Sequence, residues 1–146
     1  MPDDRFVDVA VRYLARSDKS NAAVTDYLIR RGASYSVAAA TVRRLEQLGY
    51  LNETAHAMRW SERRLAGKPM GRWRMKEELL RRGFTATVTA DTIEKLYEAI
   101  DETDLAAQAL ALRGGRRSLA QDARFLESRG FSHATVIRLL PIETGE

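Results

Sequence analysis

The chain has no cysteine among its 146 residues, and this absence excludes both disulfide bonds and thiolate metal sites. Long apolar runs are missing as well. The charged residues Asp3, Asp4 and Arg5 stand at the start, where a secretory signal would be basic and then apolar. We therefore expect no membrane-spanning segment and no leader. These absences favour a cytoplasmic protein.

Patterns typical of enzymes and metal sites are scarce too. His56 and His133 are solitary, and no histidine–glutamate spacing that suits a metal is present. The acidic pair Glu77-Glu78 lies in a helical pattern, where salt bridges account for it. Gly114-Gly115 lacks the preceding strand that a nucleotide-binding loop requires. We expect no catalysis, no cofactor and no metal.

A short basic phrase that ends in glycine and an apolar residue occurs three times. The copies are Leu28–Ala33, Leu79–Phe84 and Leu126–Phe131. Each copy predicts a helix end, stopped by a glycine that can adopt the left-handed conformation. A further helical pattern follows each glycine, and the spacing of about 50 residues is typical of helical arrays. Such an array buries apolar faces between its units and presents one continuous surface.

Strand patterns are nearly absent, and helical periodicity predicts three units of three helices each. The predicted units are residues 1–51, 52–100 and 101–146. Helix starts are indicated by capping residues at Ser20 and Asn52, and by a capping box that begins at Ser118. The fold class is therefore all-α.

The ends and faces of these helices carry further predictions. The apolar stripes place Leu48 and Leu80 in the core. Gly67 is expected to lie beyond the end of the helix that starts after Asn52. Pro141 ends the last helix, and residues 142–146 are expected to form a frayed tail.

Positive charge is concentrated in the middle of the chain. The net charge of +4 divides into +2 for residues 1–51, +5 for 52–84 and −3 for 85–146. Arginine greatly outnumbers lysine, and its planar guanidinium suits phosphate and carboxylate recognition. This distribution indicates a surface for nucleic acid or for an acidic protein.

Two groups of residues are candidates for that surface. The first comprises the arginines at the three repeated helix ends, where interaction with the helix dipole is the alternative explanation. The second is the dense basic run of the middle unit, where a solvated face is the alternative. Within this run, Arg72 and Arg74 are the arginines that a structural role explains least well, because they stand near a helix start, where the helix dipole favours acidic residues. Trp73, between them, could stack on bases, whereas Trp60 is better explained by packing. The candidates are Arg30, Arg31, Arg59, Arg63, Arg64, Lys68, Arg72, Trp73, Arg74, Lys76, Arg81, Arg82 and Arg129.

The chain resembles the RecX family, bacterial regulators of the RecA recombinase, in several phrases that occur in the family's order. The phrases are Ala10–Arg16 followed by Ser20, Gly49–Asn52, Gly71–Met75 with Glu78-Leu79 and Arg82-Gly83, and Arg124–Leu126 with Arg129–Ser132 and Val136-Ile137. Arg72 departs from the pattern, because proline is common there. The resemblance implies three tandem three-helix repeats in an elongated, curved array. It further implies binding in the groove of a RecA–DNA filament, without catalysis.

The resemblance thus favours a monomeric regulator, most often an inhibitor, of RecA in DNA repair and the SOS response. Its partners would be the recombinase filament and sequence-nonspecific single- or double-stranded DNA. One alternative is a stand-alone helix-turn-helix transcription regulator, which would read base edges and usually dimerise. Another is a helical adaptor that binds protein and ignores nucleic acid.

Overall fold

Every regular element among residues 4–141, the part of the chain that the computed structural model describes, is an α-helix. The helices are α1 (Asp4–Leu14), α2 (Asn21–Arg30), α3 (Tyr35–Gln47), α4 (Glu53–Gly67), α5 (Arg72–Arg82), α6 (Ala86–Ala99), α7 (Glu102–Arg113), α8 (Leu119–Ser128) and α9 (His133–Leu139). The predicted all-α class is confirmed. The predicted tail, residues 142–146, lies outside the described residues.

The repeated phrase closes one helix and starts the next. Gly83 has φ +108°, and the N–H of Phe84 donates to the carbonyl of Leu79 at 3.2 Å, which closes the last turn of α5. The next residue, Thr85, caps α6 by accepting a hydrogen bond from the N–H of Val88 at 3.2 Å. The other two copies repeat this arrangement, with the positive-φ residues Gly32 and Gly130. The predicted left-handed glycines are therefore confirmed.

Within residues 4–141 the helices contact one another in three groups of three, but they enclose two hydrophobic cores. Helices α1, α2 and α3 contact one another around a first core that includes Phe6, Val24, Leu28 and Leu45. Helices α4 to α9 share one second core, which runs from Ala57 to Leu140. The exact limits of the three predicted units stay a prediction.

Helices α4 to α6 and helices α7 to α9 are joined by backbone hydrogen bonds as well as by side-chain packing. The N–H of Gly71 donates to the carbonyl of Arg129 at 2.8 Å, and the N–H of Trp73 donates to the carbonyl of Gly130 at 3.2 Å. The end of α8 thus satisfies donors at the start of α5, which has no side-chain cap of its own. A methyl group on Gly71 would overlap the Gly130 carbonyl, so this approach requires glycine.

Three local predictions are wrong. Leu48 is 46% exposed, because it follows the last turn of α3 and the chain turns away there. Leu80 is 43% exposed, because its neighbour Leu79 occupies the core-facing position of α5. Gly67 lies inside α4 as its last residue, and Lys68 is the cap.

No helix among residues 4–141 is both long and apolar enough to cross a membrane.

Candidate nucleic-acid and partner interface

Four of the candidate arginines have carboxylate partners. Nε of Arg59 donates to Oδ2 of Asp18 at 3.0 Å, which links α4 to the segment before α2. The other three are Arg64, Arg72 and Arg74, which pair with Glu78 or Glu102. These contacts tie the side chains to the fold, so part of the basic run has a structural role.

Arg72 lies where a helix N-terminus would be expected to attract an acid, and α7 supplies that acid. Oε1 of Glu102 accepts a hydrogen bond from the backbone N–H of Arg72 at 3.1 Å, and Oε2 lies 3.4 Å from the Arg72 Nε. The guanidinium also lies 5.6 Å from the ring centroid of Tyr97. Arg72 therefore has structural contacts, although its place at a helix start made it one of the two least structural arginines of the basic run in the sequence. Glu102 is distant in sequence, which is why local pattern did not reveal it.

Glu78 lies close to two of the candidate arginines, Arg64 and Arg74. Its side chain is only 11% exposed, and its carboxylate lies 2.8 Å from Nη2 of Arg64 and 3.8 Å from Nε of Arg74. The second contact is longer than a hydrogen bond, and neither Nε of Arg74 nor Oε2 of Glu78 has a hydrogen-bond partner among the described residues. Arg74, like Arg72, is therefore less free than its position in the sequence indicates.

Five of the candidate residues line two hollows, and Glu78 contacts one of them, Arg64, as well as Arg74. A hollow of about 360 Å³ is lined by Arg64, Lys68 and Arg129, and a second hollow of about 250 Å³ is lined by Glu78, Arg81 and Arg82. The Arg64–Glu78 ion pair connects the two hollows. We call this surface the basic face and define it as Arg64, Lys68, Arg74, Arg81, Arg82 and Arg129.

The most available charges of the basic face lie at the end of α5. Arg81 and Arg82 are exposed, and neither forms a salt bridge within the described residues. The Arg82 guanidinium lies 5.9 Å from the ring centroid of Trp60, which packs against the second core. These two guanidinium groups can therefore accept an anion without breaking an ion pair.

The remaining candidates line neither hollow. Arg31 donates from Nη2 to the hydroxyl of Tyr27 at 2.7 Å. Trp73 is 58% exposed, and Lys76 lies over its ring at 5.9 Å from the centroid. Arg30 and Arg63 are exposed side chains without a salt bridge in the described part of the chain.

Sequence reasoning missed Arg113. This residue ends α7, lines the larger hollow and lies 4.4 Å from the ring centroid of Phe125. The signal that could have identified it is the basic stretch 113–117, which holds three arginines.

Buried and paired groups meet where the segment before α2 contacts α4. The hydrogen bond from Arg59 holds the pKa of the Asp18 carboxyl below its ordinary value. Burial lowers the pKa of His56, an effect that the nearby Asp18 charge partly opposes. The ring of His56 meets that of Phe84 edge to face, with centroids 5.1 Å apart.

No group of three or more acidic, histidine or cysteine side chains suited to a metal occurs among the described residues.

Comparison with known proteins supports a single family. Residues 8–45 match the family model described as "RecX, first three-helix domain". The regulatory protein RecX of Treponema pallidum is 32% identical over 139 residues, covering 93% of this chain and 84% of the relative. That of Thermus thermophilus is 37% identical over 122 residues, covering 84% and 80%. The crystal structure of RecX from Lactobacillus salivarius shares the fold, with a TM-score of 0.80 and 18% identity over 93% of this chain and 92% of that one.

Proposed function

The chain belongs to the RecX family of regulatory proteins, and on that basis we propose that it controls a RecA-type recombinase by binding in the groove of the recombinase–DNA filament. A protein in that groove occupies the space needed for strand exchange, and it slows ATP hydrolysis and coprotease activity. The expected direction is inhibition, in DNA repair and the SOS response. The protein acts as a cytoplasmic monomer and without catalysis.

The basic face is the observation that carries this proposal. Arg81 and Arg82 are exposed and free of salt bridges within the described residues. Guanidinium groups of this kind bind phosphates in pairs of parallel hydrogen bonds. Contacts to phosphate carry no sequence information, so DNA binding is sequence-nonspecific and weakens as salt rises.

The test is a titration of recombinase ATP hydrolysis and strand exchange. The native chain should inhibit both reactions at less than one molecule per recombinase subunit. The double variant Arg81→Ala/Arg82→Ala should require about tenfold more protein, because two phosphate contacts are lost. The matched control is Arg43→Ala/Arg44→Ala, which removes the same charge from an exposed pair on α3.

The control should inhibit like the native chain. Equal inhibition by both double variants would move the binding surface away from the end of α5. No effect of the native chain on either reaction would contradict the proposed function itself.

A further inference from the structure

We propose that the larger hollow, between α4, α7 and α8, binds an acidic peptide segment that carries an apolar side chain. The hollow has a volume of about 360 Å³ and opens to solvent. The proposal is independent of filament control, because binding a peptide requires neither recombinase nor DNA. It names a class of partner for one part of the protein surface.

Four cations line this hollow. Among the described residues that line it, none is acidic. Two of the cations have acidic neighbours outside the hollow, since Arg64 pairs with Glu78 and Arg113 lies 3.9 Å from Asp122. Lys68 and Arg129 form no salt bridge within residues 4–141. Carboxylates can therefore be bound here by charge-assisted hydrogen bonds.

The rest of the lining is apolar. Leu112 is 70% exposed, and Ala109 stands one turn before it on α7. Pro69 and Phe125 complete the apolar part of the hollow. Covering Leu112 removes apolar surface from water, which stabilises a complex with an apolar side chain. A ligand that combines one such side chain with flanking carboxylates satisfies both parts of the lining.

Nucleic acid satisfies the lining less well than an acidic peptide does. Two guanidinium groups already lie over the Phe125 ring, Arg113 at 4.4 Å and Arg129 at 5.2 Å from its centroid, so the ring is not open to a stacking base. The volume is at the small end of ligand pockets, about 300–1,000 Å³, and suits an anchored side chain better than a row of phosphates.

The experiment is a fluorescence anisotropy titration of the full chain. The probe is a fluorescein-labelled peptide of sequence Glu-Asp-Leu-Phe-Asp-Glu, compared with its amide counterpart Gln-Asn-Leu-Phe-Asn-Gln and with a single-stranded oligothymidylate of similar charge. The acidic peptide should bind, and the amide peptide should bind at least about tenfold more weakly, because the charge-assisted hydrogen bonds are lost.

Two variants locate the binding. Lys68→Glu should weaken binding of the acidic peptide at least about tenfold, since it places a like charge in the hollow. Lys95→Glu, the same charge change at an exposed position on α6, should leave binding unchanged. Leu112→Ser should weaken it without altering net charge. Circular dichroism confirms that each variant is folded.

Three results would overturn the proposal. They are absence of peptide binding, equal binding by the Lys68→Glu and Lys95→Glu variants, and binding of the oligothymidylate alone with loss in Lys68→Glu. The last result would assign the hollow to nucleic acid. The test of recombinase inhibition uses Arg81 and Arg82, which do not line this hollow, so the two proposals fail separately.

Discussion

At the scale of single residues, Glu78 explains how so many cations share one surface. A carboxylate that is largely shielded from water interacts more strongly with its neighbours than an exposed one does. Here it lies between Arg64 and Arg74, at 2.8 Å and 3.8 Å. Glu78 therefore offsets part of the repulsion within the basic face, while the exposed arginines at the end of α5 remain available for a partner.

His56 gives the folded protein a dependence on pH that arises within its core. The ring is buried, and its Nδ1 has no hydrogen-bond partner among the described residues. Burial lowers the pKa of His56 from its ordinary value of 6.5. The unfolded chain therefore binds a proton more readily than the folded chain does. Neutral His56 therefore makes its whole contribution to the free energy of unfolding above pH 6.5. That contribution is lost as the pH falls from 6.5 through the lowered pKa.

Urea unfolding at pH 7.5 and about pH 5.5 measures this effect. The native chain should be less stable at the lower pH, and the variant His56→Leu should show a smaller difference between the two conditions. Burial raises the pKa of Glu53, which acts in the opposite direction and is common to both proteins. An equal loss of stability in both proteins would show that His56 is not the group responsible.

At the scale of secondary structure elements, the three repeated glycines differ in what surrounds them. Gly32 and Gly130 both have positive φ, +103° and +83°, at equivalent ends of α2 and α8. A methyl group on Gly32 would meet nothing within 4 Å. On Gly130 it would overlap the backbone N of Arg74, at the junction between α8 and α5.

The variants Gly32→Ala and Gly130→Ala should therefore differ in stability. Gly32→Ala should lower the free energy of unfolding by about 1 kcal/mol, the cost of a left-handed alanine. Gly130→Ala should lower it by about 3 kcal/mol more, because the α5–α8 contact must open. Urea denaturation of the two variants measures the difference. Equal losses would mean that the close approach at Gly130 does not stabilise the fold.

The same elements show what the sequence could and could not predict. The helix ends were predictable, because a glycine stop and a Ser or Thr cap act within a few residues, as at Ser20 and Gly83. The α5–α8 junction was not predictable, because Gly71 and Gly130 are far apart in the chain. Leu80 was misplaced because two adjacent leucines compete for one core-facing position.

The candidate site divides in the same way. The density of arginine in the middle of the chain was visible in the sequence, and five of the candidate residues line the two hollows. The partners of the other cations come from distant segments, as Asp18 does for Arg59 and Glu102 does for Arg72. Pairing across the fold therefore decides which cations stay available, and local pattern does not report it.

At the scale of the whole molecule, the two cores place the basic face on the larger body. Helices α1 to α3 have their own core, whereas α4 to α9 share one that holds both hollows of the basic face in position. Contacts of the first body with the second include the Asp18–Arg59 ion pair. The basic face is thus built on one shared core, which favours a surface whose charges keep a fixed arrangement.

The most direct test of filament control is sedimentation of the protein with recombinase filaments preformed on single-stranded DNA, and with the same DNA alone. At physiological salt the native chain should pellet with the filaments at lower concentration than with naked DNA. The Arg81→Ala/Arg82→Ala variant should pellet less than the Arg43→Ala/Arg44→Ala control. Tighter binding to naked DNA of one particular sequence, with no enrichment on filaments, would contradict the account.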